Sequence, residues 1–306
     1  MIKPLEPHAG WTDDENAVSL DELNALMAQA SHLHNTAPDP ELGGLSPEQM
    51  YTLLYTPWDA PQSPVQFNSE IPLDQLESQS PLFKLGRWLL CTIHEAGGVK
   101  GTAGKNLPRS LVTASLDYMP PSMQVERLRE ICKVFNEEDL GPLHIARITA
   151  RQGNLLQFSK GRFTVPRKAV ALLTPDKAGE LFARLFTTHF QKINLAYPSE
   201  IGPPCAELQM AVPYTLQRLG EVLTDWQPEE GLAARLLPPA MLAGIEAATE
   251  GLPYWNADSL LASRILFWLV QWGLLEERTD PDQPRNLSPD LRVSPLYRNL
   301  LRFEWA

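Results

Sequence analysis

The sequence predicts a mainly α fold with tandem winged-helix-like units carrying short β-hairpin wings. Helical apolar spacing dominates from residue 81 onward. The stretch Gly153–Leu173 breaks that spacing and reads as strand, tight turn, strand, helix. The C-terminal stretch repeats it: Gly153-Asn154-Leu155-Leu156 is echoed by Gly273-Leu274-Leu275, Val165-Pro166 by Val293-Ser294-Pro295, and Leu172-Leu173 by Leu300-Leu301.

The elements follow in order. Ser19 and Glu22 form an S-x-x-E capping box, which starts a helix carrying Leu20, Leu23, Met27 and Ala30. Residues 35–46 read as a linker. Ser46, Pro47 and Gln49 start a second helix with Met50, Leu53 and Leu54 inside. Residues 56–81 are proline-rich and aperiodic, and read as extended chain draped over a domain or as a tether. Ser80-Pro81 caps a helix with Leu82, Leu85, Leu89 and Ile93 on one face, ended by Gly97-Gly98. Further helices begin at Asn106-Leu107-Pro108 and at Ser122, and another covers about 140–152.

Beyond the first hairpin, Thr174-Pro175 caps a helix rich in Leu and Phe, and one over about 204–223 is kinked at Pro213. Shorter helices fall near 229–237 and 239–249. Ser259–Trp272 closes the series as a helix before the second hairpin. The expected domains are an acidic, Pro-rich arm over 1–80, a central winged-helix-like domain over 81–200, and a C-terminal helical domain over 201–306.

The 306 residues are 43% apolar and 21% charged, enough to bury real cores and unlike a disordered chain. Three cysteines, at 91, 132 and 205, make no disulfide framework and no C-x-x-C metal pair. The opening residues lack the apolar core of a signal peptide, and the longest apolar run, Ile265–Val270, is too short to span a membrane. The expectation is a soluble, cytoplasmic protein.

Charge is uneven. Residues 1–83 hold 13 acids and one base, residues 84–196 hold 17 bases and nine acids, and residues 197–306 hold eight bases and 15 acids. A basic middle between acidic flanks points to a polyanion site, or to masking of that site by the acidic front.

The basic middle concentrates the candidates. His144, Arg147 and Arg151 fall at i, i+3 and i+7 on one helix and share a face. In a helix-turn-helix the second helix offers such a stripe to the major groove. Lys160 and Arg162 lie at the hairpin tip, and Arg167 and Lys168 open the next helix. These seven residues are the candidate nucleic-acid contacts. A second anion site is read at Lys100, Lys105 and Arg109 around the Gly101–Asn106 turn, although no Ser or Thr follows Lys105 as a P-loop requires.

No metal and no cofactor is expected. His32 and His34 sit with Asp39 and Glu41 in a proline-containing linker, and His94 and His189 read as satisfied, partly buried histidines. The common hydrolase signatures G-x-S-x-G and H-E-x-x-H are missing, so the expectation is a protein that is not an enzyme. Trp268, Trp272 and Trp305 read as core, and Trp11 and Trp58 as anchors of the acidic chain.

The run Ser46–Tyr55, the stretch Ala96–Arg109, the helix–Gly–Leu-Leu–hairpin of 143–165, the Phe-rich helix of 181–197 and the closing Gly273-Leu274-Leu275 segment together resemble a group of uncharacterised bacterial proteins. The resemblance covers roughly 45–306. Some members of that group are joined to a SecA-type zinc motif, which this sequence lacks. The resemblance implies winged-helix-like, α-rich architecture and carries over no catalytic residue. Two readings of function follow. One is a nucleic-acid-binding or regulatory protein, with DNA as partner, acting through the basic helix and wing. The other is a protein-interaction adaptor whose wings are structural and whose acidic arm binds or masks a basic surface.

Overall fold

The computed structural model describes residues 19–197, 203, 205–279 and 288–305. Trp11 therefore lies outside the described residues, as do the first 18 residues of the acidic front.

Both N-terminal capping boxes form. Ser19 caps α1 (Leu20–Thr36), with Glu22 answering its backbone N–H. Ser46 and Gln49 do the same for α2 (Pro47–Tyr55), whose Met50 and Leu53 are buried. The proline-rich stretch that follows is more structured than its aperiodic sequence suggests. It holds β1 (Val65–Phe67) and α3 (Leu73–Gln79), and it sends Trp58, Val65, Ile71 and Leu76 into the core. β1 pairs antiparallel with a strand at the far end of the chain, Val65 opposite Phe303. No local pattern encodes a partner so distant.

The first unit opens with α4 (Pro81–Glu95), which buries the four expected apolar residues. Gly97 and Gly98 turn the chain with φ of 62° and 99° into β2 (Val99–Lys100). A Cβ at Gly98 would stand 2.7 Å from Thr164 Cγ2 and 2.9 Å from the Phe163 carbonyl oxygen, so only glycine lets this turn close on the hairpin. α5 (Arg109–Ser115) and α6 (Val125–Ile131) lead to α7 (Gly141–Gln152). The hairpin β3 (Gln157–Ser159) and β4 (Arg162–Thr164) follows, then α8 (Arg167–Val170). Lys160 and Gly161 at the hairpin tip have φ of 50° and 74°, the two left-handed residues of a type I′ turn.

α9 (Ala178–Lys192) is the central beam. Phe182, Phe186 and Phe190 on it are buried and stack in series, with ring centroids 5.8 and 4.8 Å apart. Phe83 of α4, Trp58 and Trp272 all pack on this ladder, so the proline-rich segment after α2, the first unit and the second unit meet there.

The second unit runs through α10 (Ala206–Met210) and α11 (Val212–Val222), broken at Ala211 ahead of Pro213, to β5 (Gln227–Pro228). α12 (Ala233–Leu236) and α13 (Pro239–Thr249) come next. α14 (Ala257–Leu261) and α15 (Phe267–Gln271) are joined by a π-helical turn over Ala262–Leu266. β6 (Leu275–Arg278), β7 (Asp290–Val293), α16 (Pro295–Leu300) and β8 (Leu301–Phe303) complete the chain.

The described chain is mainly α-helical, with short strands in three small sheets. Two of these share one plan. In β2-β4-β3 and in β5-β7-β6, a strand of two residues pairs with the second strand of a later hairpin. Each hairpin follows a helix that ends at a glycine, Gly153 or Gly273, and precedes a short helix that begins at proline or just after it.

Candidate nucleic-acid interface

α7 is the element on which the basic stripe was expected, and most of it is buried. Leu143, Ile145, Ala146, Thr149 and Ala150 are core, while α4 and α9 pack against it. Arg147 is among the buried residues, at 5% exposure. Its Nε donates to Glu137 Oε1 at 2.5 Å, and its guanidinium lies 5.8 Å from the Phe163 ring centre. The same carboxylate oxygen faces His144 Nδ1 at 2.7 Å, while Glu137 Oε2 accepts from the Leu107 backbone N–H at 2.7 Å. His144 Nε2 reaches the Tyr197 hydroxyl at 3.0 Å.

Glu137 thus ties α7 to the 102–108 loop. Burial would raise its pKa, but the hydrogen bonds from His144 and Leu107 and the Arg147 charge outweigh that and hold it below the usual carboxylate value. Arg147 and His144 are committed to the chain's own carboxylate and offer no free charge to a ligand. Of the three stripe residues, Arg151 alone is exposed at the end of the helix.

The sequence reading missed Glu137. Its signal is the acidic triplet Glu137-Glu138-Asp139 just before α7, with Glu137 seven and ten residues ahead of the two side chains it bonds, His144 and Arg147.

The wing behaves differently. Lys160, Arg162, Arg167 and Lys168 are all exposed. Arg162 Nη2 donates to the Gly98 carbonyl at 2.6 Å, which fixes the guanidinium across the sheet. Register sets Lys100 opposite Arg162, and Arg162 opposite Ser159. Residues paired in register share a face. Lys100 therefore belongs to the outer face of the wing with Arg162, while Phe163 turns inward and is fully buried.

The second anion site does not form a cradle. Gly101 N donates to Gly161 O, Thr102 N to Asn106 O, Lys105 N to Thr102 O and Asn106 N to Thr102 Oγ1, so the turn consumes these donors itself. Asn106 Nδ2 is held by Glu138, and Arg109 Nε donates to Asn136 Oδ1 at 3.3 Å. Lys105 is exposed beside that turn.

Among the described residues, Lys100, Lys105, Arg151, Lys160, Arg162, Arg167 and Lys168 form no ion pair. The second hairpin is the opposite case. Arg278 bonds Asp290 at 2.9 Å, Arg292 bonds Glu276 at 2.6 Å, and both guanidinium groups stack on Trp226 at 4.6 and 4.4 Å. The groove beside it, about 510 Å³, is lined by Phe267, Leu291, Glu229 and Glu277 among others. Burial, with Asp258 and Glu277 nearby, pushes the Glu229 carboxyl up.

Two histidine expectations are corrected. His94 is exposed. His189 is fully buried between Phe190, Trp268 and Trp272, with neither ring nitrogen hydrogen-bonded, and burial lowers its pKa to about 3. Trp58 anchors the proline-rich chain onto the rest of the molecule, buried and stacked on Phe186. Among the described residues there is no group of three or more His, Cys, Asp or Glu placed to hold a metal ion, and no helix is long and apolar enough to cross a membrane.

A family model described as the Y4jL N-terminal domain matches residues 78–179. That third of the chain takes in α4 through the first residues of α9, the whole of the first helix–strand–helix–hairpin unit with its exposed cations. No curated protein and no solved structure matches the chain.

Proposed function

We propose that the chain is a non-enzymatic, tandem winged-helix protein whose first unit binds the phosphate backbone of DNA through its wing. The supporting observation is the set of unpaired, exposed cations at Lys100, Arg151, Lys160, Arg162, Arg167 and Lys168. The winged-helix reading is supported by the sheet order, first strand against third, in both units. The domain division proposed with it is 81–200 and 201–306. α7 does not read the major groove in this scheme, because its stripe is spent on Glu137. Contacts through a wing and a helix start are phosphate contacts, which give affinity without base readout.

Anisotropy titration of a labelled duplex over a range of salt concentrations tests this. Log affinity falls with log salt by roughly 0.9 per phosphate neutralised. Lys160→Glu with Arg162→Glu flattens that slope and weakens binding at least tenfold. A wild-type chain that leaves the duplex free at low salt overturns the reading.

A second reading is favoured by the burial of α7: a protein-interaction adaptor whose hairpins are structural. It would show no retention on heparin or duplex DNA. In it, the acidic front binds a basic partner.

A further inference from the structure

We infer that α1 is a self-association element that pairs antiparallel with α1 of a second copy of this chain. α1 is 17 residues long and buries none of them. α1 touches α2 but buries no side chain there, and a helix of this length left so exposed is marginal in water, so its stability calls for a partner. Its apolar face is large: Leu20 is 74% exposed, Leu26 56%, Met27 61% and Leu33 61%.

The order of that face identifies the partner. Leu20, Leu23, Leu26, Met27, Ala30 and Leu33 are separated by three, three, one, three and three positions. The series reads the same from either end. At about 100° per residue these side chains occupy an arc of roughly 140°, the apolar stripe of a packed helix. Turn one copy end for end against another and apolar residues meet apolar residues along most of the seam, with His34 in its last turn. Leu26 and Met27 then lie at the symmetry axis.

The polar groups agree with the same orientation. Glu22 flanks the stripe in the first turn, and His34 falls within its arc in the last. Antiparallel pairing brings the acidic first turn of each copy to the histidine-bearing last turn of the other, and opposes the two helix dipoles. A parallel pair would set like ends together. The contact is isologous, so it closes at two copies.

Sedimentation of the full chain tests this. The expected result is a mass rising from 34.2 kDa toward twice that value as concentration climbs from the micromolar range. Leu26→Glu with Met27→Glu puts four carboxylates at the axis and leaves a folded monomer, because no core residue is touched. Ala28→Glu, on the opposite face, keeps the dimer. A wild-type chain that stays monomeric overturns the proposal. So does a double variant that still dimerises, or an Ala28→Glu chain that does not.

Discussion

Glu137 Oε1 accepts from Arg147 Nε at 2.5 Å, with the Glu137 side chain fully buried and that of Arg147 nearly so. Removing one partner of a buried pair strands the other charge, at a cost of about 3–5 kcal/mol. Glu137→Gln therefore lowers the stability of the chain by that order in urea denaturation. Glu137→Gln combined with Arg147→Met recovers much of the loss, since no charge is left uncompensated. A double variant no more stable than the single one would show that the pair contributes through packing alone.

His189 predicts an acid-sensitive fold. Its folded pKa of about 3 lies below the unfolded value near 6.5. The unfolded chain therefore takes up this proton first as pH falls. Stability is at its full value above about pH 6.5 and declines toward pH 3, by roughly 4 kcal/mol from this group. Glu137 adds to the same trend, because its lowered pKa means stability lost as pH falls through that value. His189→Phe removes the histidine part, and denaturation midpoints measured between pH 7 and 4 converge less steeply in the variant. Parallel curves for the two chains would refute the assignment.

Gly273 seats the second unit on the α3–α4 junction. Its φ is 73°, and a Cβ there would stand 1.9 Å from the Gln79 carbonyl oxygen. Gly231 has a similar φ of 80° with open space around it. Gly231→Ala thus pays only the left-handed backbone penalty, about 1 kcal/mol. Gly273→Ala adds a backbone clash and costs about 3 kcal/mol or more. Denaturation of the two variants side by side separates strain from close approach.

What the sequence reveals, and what it hides, follows the range of the forces involved. The Ser19–Glu22 and Ser46–Gln49 boxes, the Lys160-Gly161 turn and the break ahead of Pro213 are set by neighbours within a few residues, and each is visible in the chain. β1 against β8, and the two-residue strands β2 and β5, depend on partners far away in sequence and leave no periodic trace. The stripe on α7 shows the same limit. Spacing puts His144, Arg147 and Arg151 on one side of a helix, but spacing does not say whether solvent or Glu137 lies on that side. Adjacency in sequence places Lys100 with the 101–106 turn, whereas register joins it to Arg162 across the sheet.

Hydrogen exchange of the full chain, with and without duplex DNA at low salt, tests the central claim most directly. Contact through the wing slows exchange at residues 98–101 and 157–168, around Lys100, Lys160 and Arg162. Bound DNA that leaves those amides unprotected, or that protects the second hairpin instead, would contradict it.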